Sequence, residues 1–354
     1  MTPPRSHPLA GNQARRRILV PAVIALLAGF AVAAVSGVAG IDSRLAHGRP
    51  VWLIVAAGLE LISALGFVAA FQLVFGEWLS GWLCLRVGLA VRAATIVLPA
   101  GGLLAIGVGA SALRRRGMPG AQTGRRAIAF LLITNAPNLI VLAVVGLALS
   151  AGLLDGPHAL HLTALPGAIA SGVIGLTLLL PVLSHQRRAH RPRTAWRRVV
   201  STPARQLELG VIEARQLLMA RDWKLFGVFA YYAADNAVLW ATFKAFGHAH
   251  PPIVTLVMAY LIGSAAGSLP VPAGIGVVEG GMIGALALYG APALCAALAV
   301  LAYRAVSTGL PLALGGGALL TLRQRRAPQS ASDGQSSASR SRERLGWRRG
   351  SPAV

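Results

Sequence analysis

Charge is scarce in this sequence. Of its 354 residues only 12% are charged, and Asp and Glu together number 11. A soluble domain carries about 25% charged residues, so a soluble enzyme and a highly charged disordered regulator are both excluded. Cysteine is nearly absent: Cys84 and Cys295 both lie in apolar stretches, which rules out a disulfide scaffold and a cysteine-based metal cluster. There is no P-loop, no dinucleotide-binding glycine signature after a strand and no helical H-E-x-x-H. ATP-driven pumping, nicotinamide chemistry and zincin-type hydrolysis are therefore not encoded, and no metal or cofactor is expected. Ser171, Ser184, Ser264 and Ser268 have no candidate base nearby in sequence, so no nucleophile constellation forms. The histidine pairs His158/His161 and His248/His250 sit in separate loops and read as solvated side chains.

Apolar length is what the chain has in abundance. Hydrophobic residues make up 55% and mean hydropathy is +0.64. Crossing a bilayer takes about 20 apolar residues per helix. Runs over 18–40, 51–75, 127–154, 163–183, 225–247 and 292–318 meet that length. Two further runs, 82–113 and 253–290, are broken at their centres by Pro and Gly. The expected fold is an all-α polytopic membrane protein, with about six full transmembrane helices and two re-entrant helical hairpins.

The formal net charge is +22, and its distribution sets topology. Four basic residues precede residue 18, five lie in 114–126, ten in 184–224 and eight from Arg323 onward. The opposite loops hold only Arg44 and Arg49. This asymmetry places the basic segments, and both termini, in the cytoplasm, and it gives no reason to expect nucleic acid. The expected organisation is a basic N-terminus (1–17), a first membrane repeat (18–183) with hairpin 82–113, and a cytoplasmic connector (184–224). A second membrane repeat (225–322) with hairpin 253–290 and a disordered tail (323–354) follow. Within the connector, Leu207, Val211, Ala214 and Leu218 recur at helical spacing, predicting an amphipathic helix that covers the cytoplasmic face of the bundle.

The two broken stretches match each other. Pro99-Ala100-Gly101 leads on to Gly117-Met118-Pro119, and Pro272-Ala273-Gly274 leads, at the same spacing, to Gly290-Ala291-Pro292. Gly107 and Gly280 also hold a common offset from Pro99 and Pro272. An internal duplication accounts for this spacing. By the charge rule the hairpins enter from opposite faces, the arrangement of inverted-repeat transporters with a midplane site. Gly101, Gly102, Gly274 and Gly276 would leave backbone N–H groups free for an anion at the tips. Ionisable residues at membrane depth are costly and mark function or a partner: Arg304 and Arg92 are candidates to meet an anionic group. Glu279 either orients Arg304, locks helices with it or meets a cationic headgroup. Glu60 and Asp235 complete the candidate set.

The run Leu269-Pro270-Val271-Pro272-Ala273-Gly274-Ile275-Gly276-Val277-Val278-Glu279-Gly280, then Tyr289-Gly290 and Ala302-Tyr303-Arg304, resembles the C-terminal signature of the lysylphosphatidylglycerol synthase transmembrane family. The resemblance implies a flippase-like protein of the bacterial inner membrane that moves a phospholipid, or an aminoacylated or glycosylated lipid, between leaflets. The implied partners are lipids with anionic headgroups and a separate lipid-modifying enzyme. Two departures qualify it. The first hairpin, Pro99-Ala100-Gly101-Gly102-Leu103-Leu104, lacks the acidic residue common at that place in the family. The segment after Arg326, 327–354, is too short for the family's soluble aminoacyl-transfer domain, so a transporter and not an enzyme is expected. The alternative is a membrane-embedded transferase, or a subunit of one, acting on a lipid-linked substrate with Glu279 or Asp235 as acid or base.

Overall fold

A long uninterrupted apolar sequence has one stable form in lipid, the helix, because its backbone groups must all bond internally. The computed structural model describes residues 48–98, 105–154 (apart from 106, 108, 111 and 115), 160–188, 196–246, 251–267, 274 and 276–324. Among them the regular structure is helical throughout. The segment 18–40, the first tip with Gly101 and Gly102, the loop histidines apart from His161 and the tail from Arg325 lie outside the described residues; of His161 only the backbone is described.

In chain order the helices are α1 (Pro50–Phe75), α2 (Gly81–Val97), α3 (Gly120–Ser150), α4 (Leu160–Arg188), α5 (Trp196–Met219), α6 (Leu225–Phe246), α7 (Ile253–Ala266), α8 (Val277–Leu288) and α9 (Ala293–Gln324). Among the described residues four stretches are long and apolar enough to cross a membrane: Pro50–Phe75, Gly120–Ser150, Leu162–Pro181 and Ala293–Thr321. Helix α6 has 22 residues, about 33 Å, but carries Asp235, Asn236 and Lys244. The chain is an all-α polytopic membrane protein. Its outer surface agrees: Ile140, Val144 and Leu147 on α3, and Leu165, Ile169, Val173 and Leu176 on α4, are exposed at helical spacing, as lipid-facing stripes are.

Both broken stretches fold back on themselves. Helices α7 and α8 have 14 and 12 residues, about 21 and 18 Å, short of a hydrocarbon core of about 30 Å. They pack arm against arm: a Cβ on Gly263 would overlap Met282 Cγ, and one on Gly281 would sit 3.3 Å from Gly263 Cα. In the first stretch, Gly109 returns to within 3.2 Å of Val91 by the same measure.

The duplicated spacing has a backbone counterpart. Gly117 (φ +86°) and Gly290 (φ +85°) both end their arm in the left-handed region. The N–H of Met118 bonds Leu113 O at 3.3 Å and that of Ala291 bonds Leu286 O at 2.9 Å, a helix-stop pattern that glycine permits. Pro119 and Pro292 then start the long helices α3 and α9, and their carbonyls accept from Thr123 N and Ala296 N, each at 2.9 Å. The stop pattern recurs at Gly152, so it is the succession of arm, glycine, proline and long helix that pairs the two stretches.

Two apolar cores follow one another along the shared helices α1 and α6. One joins Ala56 of α1, Val238 and Leu239 of α6, Met258 of α7, Met282 of α8 and Val300 of α9. The other joins Phe71 and Phe75 of α1, Val87 and Val91 of α2, Phe130 and Ile133 of α3, and Val228 of α6. Glu60 and Ser63 fall between the two cores on α1, and Asp235 falls between them on α6. The polar residues therefore form a layer at mid-height.

The α1–α6 crossing is what makes that layer possible. A Cβ on Gly66 would lie 2.5 Å from Gly227 O and 2.6 Å from Tyr231 N, so the two backbones touch there, as small residues allow between membrane helices. Gly66→Leu should force α1 off α6. We expect a loss of about 1–3 kcal/mol or more, read as a lower melting temperature in detergent; unchanged melting would contradict the close crossing.

On the basic side, α5 is the amphipathic helix expected of the connector. Val211 and Ala214 are buried while Leu207 and Leu218 remain exposed, so only half of the apolar stripe packs inward. Helix α3 begins at Gly120, ahead of the apolar run that opens at Ala127, and its Arg126 is a clamp. It donates to Val74 O at 2.9 Å, to Glu77 Oε2 at 2.6 Å and to Glu213 Oε1 at 3.1 Å. Arg125 reaches Glu213 Oε2 at 2.7 Å. One arginine pair thus ties α1, α3 and α5 together. The turn before α6 is fixed by Asp222, which accepts from Lys224 N at 3.0 Å and Lys224 Nζ at 3.1 Å. The backbone N–H and ammonium hold that carboxylate below its usual range.

Candidate functional site

Six helices bring ionisable and phenolic groups to the mid-height layer, in two neighbouring groups. The inner group is sealed. Glu60 is fully buried, and Arg92 and Asp235 nearly so. Arg92 Nη2 lies 3.5 Å from Glu60 Oε1, and Nη1 donates to Tyr231 Oη at 2.9 Å. The guanidinium also stacks over Tyr231, 4.9 Å from the ring centroid, and near Phe67 at 5.6 Å, contacts that favour a desolvated arginine. Asp235 Oδ2 accepts from Tyr260 Oη at 2.5 Å and from Tyr303 Oη at 3.3 Å. These bonds close a chain from α1 through α2 and α6 to α7 and α9.

The outer group is at the second tip. Gly274 (φ +62°) and Gly276 (φ +83°) adopt backbone that other residues rarely enter, which starts α8 abruptly. Glu279, in the first turn of α8, folds back so that its Oε2 accepts the Gly276 N–H at 2.7 Å. Its Oε1 accepts from Arg304 Nε at 2.6 Å. The Glu279 and Arg304 side chains are 18% and 20% exposed, against 0% for Glu60. The pair is therefore reachable where the inner group is not.

The profile described as lysylphosphatidylglycerol synthase TM region matches residues 18–315. The chain belongs to that family. The match takes in every residue of the two polar groups. No curated protein matches. Membership makes this a multi-pass membrane protein of a family tied to lipid modification or flipping.

Seven of the nine candidate residues of the family member have a place among the described residues. Glu279 and Arg304 meet each other, Arg92 meets Glu60, and Asp235 meets two tyrosines instead of an arginine. Gly274 and Gly276 shape the tip; Gly101 and Gly102 lie outside the described residues. Sequence reasoning missed Tyr231, Tyr260 and Tyr303. The signal was available: Tyr231 lies about one turn before Asp235 on the same helix, and Tyr303 adjoins Arg304. Tyrosine in an apolar run nonetheless reads first as packing. Among the described residues no group of three or more His, Cys, Asp or Glu forms a metal set.

Chemically, the tip is a small anion site already holding an anion. A helix N-terminus and a guanidinium converge on one carboxylate, and both donors suit a phosphate equally well.

Proposed function

We propose that this protein moves a phospholipid, or an aminoacylated or glycosylated lipid, between the leaflets of the bacterial cytoplasmic membrane, with both termini in the cytoplasm. The observation that carries the reading is the Glu279–Arg304–Gly276 arrangement: a partly exposed guanidinium beside a helix start, next in sequence to the Tyr303 that reaches the buried Asp235.

The headgroup phosphate would compete with Glu279 for Arg304 and the start of α8, while the acyl chains stay against the lipid-facing surface. Exchange of one anion for another keeps the guanidinium paired throughout, so the charge is never stranded in a medium where an unpaired ion is costly. A conformation that offers the lipid more donors is favoured by binding, and a small difference between states suffices for cycling. We read the protein as a transporter working beside a separate lipid-modifying enzyme. A transferase would need a free acid or base, and Glu279 and Asp235 are both engaged.

Gly280 provides the test. It is exposed, and a Cβ there meets nothing within 4 Å, so Gly280→Cys, with Cys84 and Cys295 replaced, should fold. The reading predicts modification by membrane-impermeant thiol reagents from both faces, slowed by anionic lipid. Labelling from one face alone, in every condition, would contradict alternating exposure.

A further inference from the structure

The tip group leaves the sealed inner group without a task, and its hydrogen bonding does not balance. Helices α1 and α6 run antiparallel, meeting at Gly66 against Gly227 and Tyr231 and again where Arg49 N bonds Ala245 O at 3.1 Å, a register that sets Glu60 opposite Asp235. Their acceptors outnumber the donors. Among the described residues, both Glu60 oxygens, Asp235 Oδ1 and Ser63 Oγ are buried with no hydrogen-bond partner, against one unpartnered buried donor of the inner group, Arg92 Nε. The groups that face them are Arg92 from α2, Tyr231 from α6, Tyr260 from α7 and Tyr303 from α9. Tyr260 and Tyr303 spend their hydroxyl protons on Asp235 Oδ2, and Arg92 reaches Glu60 only at 3.5 Å.

Charge is unbalanced in the same direction. Two carboxylates face one guanidinium, an excess of one negative charge in a layer closed above and below by apolar cores. An uncompensated charge there is prohibitive, and like carboxylates at close range do not both ionise. A single hydrogen-bonding cation removes both deficits. A metal ion needs several oxygen ligands at short range, and Arg92 beside Glu60 would repel it. A proton needs only two oxygens.

We propose that Glu60 and Asp235 form a proton-binding site holding one exchangeable proton between a Glu60 oxygen and Asp235 Oδ1, with Ser63 one turn along α1. The pair is then formally neutral with Arg92, and the proton supplies the missing donor. The binding of the proton stands apart from lipid transport; only its use as a driving ion rests on the transport reading.

Infrared spectroscopy of the purified protein in lipid nanodiscs tests it. At neutral pH the wild type should show the carbonyl stretch of a protonated, non-aqueous carboxylic acid, shifting in D2O. Glu60→Gln and Asp235→Asn should each abolish that band, whereas Glu213→Gln, on the cytoplasmic surface, should retain it. Absence of the band in the wild type, a measurement that needs no variant, would overturn the proposal, as would its survival in both inner-group variants. A band present in a protein that moves no lipid would leave the proton site standing and sink the transport reading. Transport without the band would do the reverse.

Discussion

Arg304→Ala is expected to reduce lipid movement to background while the protein still inserts and purifies. The side chain is partly exposed and its carboxylate partner already caps α8 through Gly276, so removing the guanidinium leaves the helix start intact. What is lost is the charged donor for the headgroup. A charge-assisted hydrogen bond contributes about 1.5–3 kcal/mol, so lipid retention should fall by about 10- to 100-fold. Glu279→Gln should act in the opposite sense on binding. The amide oxygen still accepts from Gly276, but the competing negative charge is gone, so anionic lipid should co-purify in greater amount and be released more slowly. Quantifying co-purified lipid by mass spectrometry separates the two variants. Equal lipid content in both would mean that the pair only locks α8 to α9.

Arg92→Met should be the most destabilising change within the membrane region. Among the described residues Arg92 is the one guanidinium that Glu60 meets, and it also carries the bond to Tyr231. Deleting it leaves a fully buried carboxyl without its counter-ion, and breaking a buried pair from one side costs about 3–5 kcal/mol. Replacing both members should recover much of the loss, because Glu60→Met removes the stranded acid. The check is the melting temperature of wild type, Arg92→Met and the double variant in the same detergent. A double variant no more stable than the single one would show that Arg92 acts through packing on Phe67 and Tyr231 alone.

The sequence carried the pairing of Glu279 with Arg304 but not the other contacts, for a geometric reason. Depth can be counted along a helix: Arg304 lies well inside α9 (Ala293–Gln324), and Glu279 follows the tip directly. Both are therefore expected near the midplane. Partners across a helix crossing are different. Glu60 meets Arg92 and Asp235 only because Gly66 lets α1 touch α6, and neither crossing angle nor rotation is written in linear spacing. Charge was also a misleading guide to helix ends. Arg125 and Arg126 looked like loop residues, yet they occupy the first turns of α3 and hold α5 in place. The fold class, the broken stretches and the basic connector were legible because apolar length, glycine–proline breaks and charge asymmetry are one-dimensional signals.

In the proposed cycle a lipid phosphate exchanges with Glu279 on Arg304 as the midplane site changes sides. Its most direct test is leaflet-resolved transport by the purified protein in liposomes, with a reporter version of whichever anionic lipid co-purifies. The account predicts protein-dependent movement in the wild type that disappears in Arg304→Ala. Wild-type rates of movement in Arg304→Ala would contradict it.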